Sequence, residues 1–148
     1  MPSLSDLDEL YRATVLEHYR HPRNRTPLER PDASALVHNP VCGDQVRVEV
    51  KLREGRIDGV AAITRGCSIA VASGSVMTEW APGRTRSDVS ELRGRLEALV
   101  EGRADAGELP EALRAFERVA GLPSRRRCAL LAWEALEQAL VPSPNSVR

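Results

Sequence analysis

The sequence predicts an α+β fold, a small antiparallel sheet of about three strands with helices packed on it. Three observations carry that prediction. Residues 45–52 alternate without a break: Val46, Val48, Val50 and Leu52 point one way, and Gln45, Arg47, Glu49 and Lys51 the other. Strict alternation means one buried and one solvated face, the mark of an antiparallel sheet. A tight-turn signal at Glu54-Gly55 is followed by a second apolar stretch from Ile57 to Thr64, the returning strand. From residue 68 onward the apolar positions recur at helical spacing.

The elements follow in order. Residues 5–20 read as a helix: Leu7, Leu10, Tyr11, Thr14, Val15 and His18 fall near helical spacing, and Ser5 can cap the start. Pro22 ends it, because a proline disfavours helix in the residue before it. The stretch 22–33 holds three prolines and many polar groups and reads as a loop. A short strand at Ser34–His38 adds a third to the hairpin. Ser68 to Trp80 reads as a helix with Ile69, Ala72, Val76 and Trp80 on one face, stopped by Pro82-Gly83. Ser87 or Asp88 caps the next helix, which turns Val89, Leu92, Leu96 and Leu99 inward. Residues 102–110 form a Gly/Asp-rich link, and Pro110 opens a short helix to about Val119. Gly121-Leu122-Pro123 is a second link, and Arg125 to Leu140 is the final helix. The whole chain, 1–148, reads as one domain, with 1–4 and 142–148 frayed.

Composition narrows the function classes. Aromatic residues make up only 3% of the chain, so the core must be built from Leu, Val, Ile and Ala. The formal net charge is zero, and Lys51 is the one lysine among many arginines. Bulk attraction to nucleic acid or to an anionic membrane is therefore not indicated. No apolar run approaches the ~18–20 residues of a membrane span. The N-terminal residues lack the basic-then-apolar pattern of an export signal, so the expected location is cytoplasmic. Three cysteines in such a setting point to metal ligation or thiol chemistry rather than to a disulfide framework.

Each cysteine stands at an element boundary marked by a Gly or Pro in the phrase that holds it. Cys42 lies in Asn39-Pro40-Val41-Cys42-Gly43-Asp44, Cys67 in Arg65-Gly66-Cys67-Ser68, and Cys128 in Pro123-Ser124-Arg125-Arg126-Arg127-Cys128. Asp44 follows Cys42 by two positions, and in extended chain residues two apart point the same way. Three thiolates and one carboxylate make four ligands, the number a tetrahedral zinc takes. Cys67 and Cys128 open helices, where the macrodipole favours thiolate. The run Arg125–Arg127 opposes that dipole, so it makes sense beside an anion. A site of three thiolates and a carboxylate remains anionic with one zinc bound. Arg47 and Arg65 are further candidates to face it.

Other polar groups read more blandly. A single buried cysteine is commonly a small hydrophobe, and an arginine run is commonly a solvated patch. His18 and His21 have ligand spacing but precede Pro22, which favours a surface or capping role. His38, four residues before Cys42, is the histidine to keep as a neighbour of the site. Ser73-Gly74-Ser75 reads as a small-residue packing face, since no histidine–acid partner is evident in the sequence.

The phrases Asn39-Pro40-Val41-Cys42-Gly43-Asp44 and Gly66-Cys67-Ser68-Ile69-Ala70 resemble the SufU/IscU family of iron–sulfur cluster biogenesis proteins. So does the opening Tyr11-Arg12…Leu16-Glu17-His18-Tyr19…Pro22-Arg23-Asn24, and the resemblance runs from about Leu10 to Leu140. Within the family, the long Cys67–Cys128 segment, Arg127 before the third cysteine and Arg125 look like the SufU branch. The resemblance implies a zinc-dependent sulfur-transfer protein that accepts persulfide sulfur from a SufS-type cysteine desulfurase and serves a downstream iron–sulfur scaffold. It implies Cys42, Asp44, Cys67 and Cys128 as zinc ligands, Cys42 as the sulfur acceptor, and Arg125 beside the site. Two alternatives stay open. The same ligands suit a scaffold holding a [2Fe–2S] cluster, and a zinc-stabilised adaptor without chemistry would need no more.

Overall fold

The computed structural model describes residues 4–105, 107 and 109–141; for residues 4–8 and 10 it describes the backbone alone. Of the ends expected to fray, 1–3 and 142–148 lie outside these residues, and Leu4 opens the first helix. The expected cap Ser5 and the expected inward-facing Leu7 and Leu10 lie outside the described side chains.

Helix α1 spans Leu4–Arg20. Strands β1 (Ala33–His38), β2 (Gln45–Arg53) and β3 (Arg56–Arg65) form one antiparallel sheet in the order β1-β2-β3. Helices α2 (Ser68–Trp80), α3 (Arg86–Val100) and α4 (Glu111–Arg114) follow. Two 3-10 segments, Ala115–Gly121 and Pro123–Arg125, lead into α5 (Arg126–Ala139). The antiparallel sheet with helices on it is the arrangement the alternation predicts.

Val46, Val48 and Val50 are fully buried, and α5 lies against β1 and β2 while α2 lies against β3. Helix α1 packs on α2, and α3 packs on α5. One buried cluster joins the sheet valines to Met77, Leu96, Phe116, Leu131, Trp133 and Leu136. Trp133 is the largest of these side chains. Its ring packs 5.4 Å from that of Trp80, and its indole N–H donates to Ser73 Oγ at 3.1 Å.

Several local expectations need correction. Leu52 was expected inward with the valines, but the register shifts between Lys51 and Leu52, and Leu52 is 41% exposed. Glu49 was expected on the wet face and is buried. The loop 22–32 folds over that face, and the Glu49 carboxylate accepts Leu28 N–H at 2.9 Å and Arg47 Nε at 3.2 Å. The cap of α3 is Thr85 rather than Ser87 or Asp88; Thr85 and Asp88 exchange hydrogen bonds in a capping box. The short helix after Pro110 gives way to 3-10 turns at Ala115.

His18 is a further correction. It is buried rather than on the surface, with Nδ1 2.7 Å from Ser75 Oγ. Ser75 Oγ also accepts Arg23 N–H at 2.9 Å, and Glu79 lies 3.7 Å from His18 Nε2. A histidine–acid partner for Ser75 therefore exists, contrary to the sequence reading. Ser75 is buried and engaged with backbone, so this group fastens α1 and the following loop to α2 and offers no nucleophile. His21 is exposed.

Candidate metal centre

The site forms where the β1–β2 turn meets the N-terminal ends of α2 and α5. The turn is self-supporting. Asn39 is buried; its N–H donates to Asp44 O, its O accepts Gly43 N–H, and its Oδ1 accepts Val41 N–H. Gly43 has φ +78, the left-handed region that glycine enters without strain. This is how Cys42 and Asp44 converge. The extended-chain geometry expected for them is absent, and the left-handed step leaves Cys42 exposed while sending Asp44 into the interior. Val41, at the tip of the turn beside Cys42, is 92% exposed.

Across from the turn, Cys67 is the residue that precedes the first turn of α2, and Cys128 is the third residue of α5. Gly66 passes so close to Asp44 that a Cβ on it would lie 2.6 Å from the carboxyl carbon. That close approach lets Cys67 N–H donate to Asp44 Oδ2 at 3.3 Å. The two α2/α5 cysteines differ in depth: Cys67 is partly exposed and Cys128 is fully buried.

One donor atom each from Cys42, Asp44 and Cys128 lies within 4.8 Å of the others. The Cys42 and Cys128 sulfurs are 3.9 Å apart. Two thiolates on one tetrahedral zinc with ~2.3 Å bonds stand about 3.8 Å apart, so this spacing fits the metal. Cys67 does not join that mutual set; its hydrogen bond to the group is made by its backbone N–H, to Asp44 Oδ2. Among the described residues no other such group of ligand-type side chains occurs.

The electrostatics follow from this crowding. Burial works against the charged form of Asp44, but hydrogen bonds, led by those from the Cys128 thiol and the Cys67 backbone N–H, outweigh it. The Asp44 carboxyl accordingly sits below its ordinary range. Burial pushes the Cys128 thiol well up, and the Asp44 carboxylate and Cys67 push it further. The help expected from the α5 macrodipole is outweighed by burial and by the crowding of thiol and carboxylate groups around Cys128. Arg125 lies among these groups, and its charged form is held by Cys67 and by a hydrogen bond with Cys128. Tyr11 approaches from α1, and burial and the charge of Cys67 raise its phenol above the ordinary value. The sequence reading missed Tyr11 as a neighbour of the site; only its place on the inner face of α1 hinted at it.

The arginine run separates into three roles. Arg125 faces the thiols, Arg126 donates to Ala120 O at 2.6 Å, and Arg127 pairs with Glu134 at 3.2 Å. Arg47 turns away to Glu49, Arg65 is exposed at the end of β3, and His38 is exposed at the end of β1. Among the described residues His38 is not part of the ligand-type group.

At one end of this sheet-and-helix fold Cys42, Asp44 and Cys128 converge as a group that could hold a metal ion, with Cys67 at the neighbouring helix start. Residues 10–98 match the family described as NifU-like N terminal domain. The chain is 35% identical over 146 residues to an iron-sulfur cluster assembly scaffold protein IscU of Streptococcus pyogenes, covering 97% of this chain and 91% of that protein. It is 32% identical over 139 residues to the zinc-dependent sulfurtransferase SufU of Bacillus subtilis, covering 92% of each. Among solved structures, a putative scaffold protein for the SUF system from Fervidobacterium islandicum superposes with a TM-score of 0.81 at 27% identity, covering 90% of this chain and 98% of that one. The chain belongs to the NifU-like N-terminal domain family, the iron–sulfur cluster assembly proteins that include IscU and SufU.

Proposed function

We propose that this protein is a zinc-dependent sulfur carrier of the SufU kind, which accepts sulfur from a SufS-type cysteine desulfurase and passes it on within iron–sulfur cluster assembly in the cytoplasm. The observation that carries the reading is the pairing of an exposed thiol, Cys42, with buried ligand-type groups, Cys128 and Asp44, in one compact set. The SufU relative, similar over nearly the whole chain, supports it.

Cys42, Asp44, Cys67 and Cys128 would hold the zinc. Bound there, zinc would supply a non-redox cation that keeps clustered thiolates ionised. The remaining work falls to the chain. Cys42, alone of the three, is exposed and sits on a turn, so its thiolate can meet a partner's persulfide. It attacks the outer sulfur of that persulfide; the partner's S–S bond breaks, the sulfur moves to Cys42, and the partner leaves as thiolate. Arg125 places a fixed positive charge beside Cys67 and Cys128 and steadies the anionic set through the exchange. Val41 presents an apolar contact beside the reacting thiol.

Metal analysis combined with a desulfurase assay tests this. The protein should carry one zinc per chain, raise desulfurase turnover, and gain about 32 Da on the Cys42 peptide. Iron with sulfide in place of zinc, and no rise in turnover, would instead favour the scaffold reading. That reading has its own support, because an IscU scaffold is as similar to the chain as SufU is, and thiolates with a carboxylate also suit a [2Fe–2S] cluster as cargo. Zinc with neither persulfide nor stimulation would leave an adaptor.

A further inference from the structure

Sulfur acceptance needs one thiol, yet a second lies directly beneath the first. Cys42 Sγ and Cys128 Sγ are 3.9 Å apart, near van der Waals contact. We propose that Cys128 resolves a persulfide on Cys42, so that the protein can release its sulfur as hydrosulfide and close a Cys42–Cys128 disulfide. This rests on the reading of Cys42 as sulfur acceptor.

The step balances within the chain. Cys128 sulfur attacks Cys42 Sγ, the inner sulfur of the persulfide, and the bond from Cys42 Sγ to the added sulfur breaks. The Cys128 proton passes to the outer sulfur of the persulfide anion as the attack begins, so the attacking group is the thiolate and the added sulfur leaves with the bonding pair as hydrosulfide. The added sulfur is reduced by two electrons, and the two cysteines lose those electrons on becoming a disulfide. No outside oxidant is consumed. A dithiol reductant then reopens the disulfide for the next cycle.

Three features select this pair. Cys128 is fully buried and Cys42 exposed, with their sulfurs 3.9 Å apart, so Cys128 can reach the inner sulfur while the exposed side of Cys42 leaves room for an added sulfur. A disulfide needs about 2.05 Å between sulfurs, so the gap must close by about 2 Å. The surface turn Pro40–Cys42, followed by Gly43 at φ +78, is the segment able to supply that movement. Cys67 stands outside the set of donors that lie within 4.8 Å of one another, so it is the poorer partner for Cys42. Because Cys128 is also a proposed metal ligand, the reaction belongs to chains without metal. Metal occupancy then decides between carrying the persulfide intact and releasing its sulfur.

The test uses the full chain, once with zinc and once stripped with chelator. Persulfide is loaded either by desulfurase with cysteine or by brief exposure to polysulfide, followed by desalting. The stripped wild type should release one sulfide for each disulfide formed. Non-reducing peptide mapping should show Cys42 joined to Cys128, with the chain about 2 Da lighter than its reduced form. With zinc bound, the Cys42 persulfide should persist. In Cys128→Ser it should outlive the stripped wild type by about tenfold or more, the advantage of an intramolecular thiol, whereas Cys67→Ser should still form the disulfide. The wild-type mass balance stands even where a variant folds poorly. Equal persulfide lifetimes in stripped wild type and Cys128→Ser, a Cys42–Cys67 bridge, sulfur recovered as a Cys128 persulfide, or equal release with zinc bound would each overturn the proposal. Loading by polysulfide but not by desulfurase, followed by normal resolution, would sink the sulfur-acceptor reading and leave the resolution chemistry standing.

Discussion

The two walls of the site are built differently. Cys67 and Cys128 are rooted in helices whose other faces form the core: α2 carries Ala70, Ala72 and Met77, and α5 carries Leu131, Trp133 and Leu136, all fully buried. Cys42 sits on a surface turn held by hydrogen bonds to one residue, Asn39, with Val41 in solvent at its tip. Moving a helical cysteine would disturb the core; moving Cys42 disturbs a turn. Asp44 bridges the walls, since it leaves the turn yet accepts a hydrogen bond from Cys67 N–H. The contrast teaches a division of labour in which one wall holds and the other delivers. Substitutions on the two walls should therefore separate stability from sulfur chemistry.

The largest stability loss should come from the core behind the helical wall. Trp133→Ala removes a fully buried indole, its contact with Trp80 and its hydrogen bond to Ser73. Chemical denaturation should show a loss of about 3–5 kcal/mol. A loss under about 1 kcal/mol would mean that this wall is not anchored as described.

Next comes the junction between the walls. Gly66→Ala would set a Cβ 2.6 Å from the Asp44 carboxyl carbon and 2.9 Å from Asp44 Cβ. Because the Asp44 Cβ is also in the way, rotating the carboxylate alone does not clear the clash. The turn must shift, at a cost of about 1–3 kcal/mol, and Asp44 loses its place beside Cys67. Zinc retained per chain should fall along with the melting temperature. Unchanged zinc content with unchanged melting would break the bridging role given to Asp44.

A smaller effect concerns the seat of α1. Burial first, and then the nearby Arg23 charge, lower the pKa of His18 below its ordinary 6.5. A base held neutral in the fold but free to protonate when unfolded makes the unfolded state bind more protons below pH 6.5. Stability contributed by neutral His18 is therefore full above 6.5 and is lost as pH falls from there toward the depressed folded value. Melting temperatures of wild type and His18→Gln across pH 5–8 read this directly: the wild type should lose ground relative to the variant below about pH 6.5. Parallel curves would mean that His18 does not titrate differently on folding.

The same contrast between walls explains what could be read from the sequence. Val46, Val48 and Val50 announced their strand because alternation is a local signal, and Val89, Leu92, Leu96 and Leu99 announced α3 by their helical spacing. Cys42, Asp44 and Cys67 could be singled out because each adjoins a glycine, and Cys128 because it falls in the first turn of the helix that follows Pro123. What stayed illegible depends on contacts distant in sequence. Glu49 is buried because a loop some twenty residues earlier folds over it, and His18 is buried because Ser75, fifty-seven residues later, meets it. The arginine run looked uniform, and only the fold turns Arg125 to the thiols and Arg127 to Glu134. The convergence of Cys42 and Asp44 was anticipated by way of an extended chain, but it depends on the left-handed φ of Gly43, which composition alone does not reveal.

The smallest stability change, with the sharpest functional one, is expected from Cys42→Ser. The residue is exposed, its turn is held by Asn39 and Gly43 rather than by its own side chain, and its sulfur contact with Cys128 is 3.9 Å. Replacing sulfur by oxygen there should change the stability of the metal-free chain by no more than about 0.5 kcal/mol, as for other surface substitutions. Sulfur acceptance should nonetheless vanish, because a serine hydroxyl is far less ionised and less nucleophilic than a thiol at neutral pH. Cys128→Ser should behave in the opposite order, since it places a hydroxyl at a fully buried position between Asp44 and the α5 core and costs about 1–3 kcal/mol wherever that hydroxyl lacks a partner. Denaturation of the two variants, set beside mass analysis of each after exposure to desulfurase and cysteine, gives four numbers. If Cys42→Ser proves the less stable of the two, or if it still gains sulfur on another cysteine at the wild-type rate, the separation between a holding wall and a delivering wall does not hold.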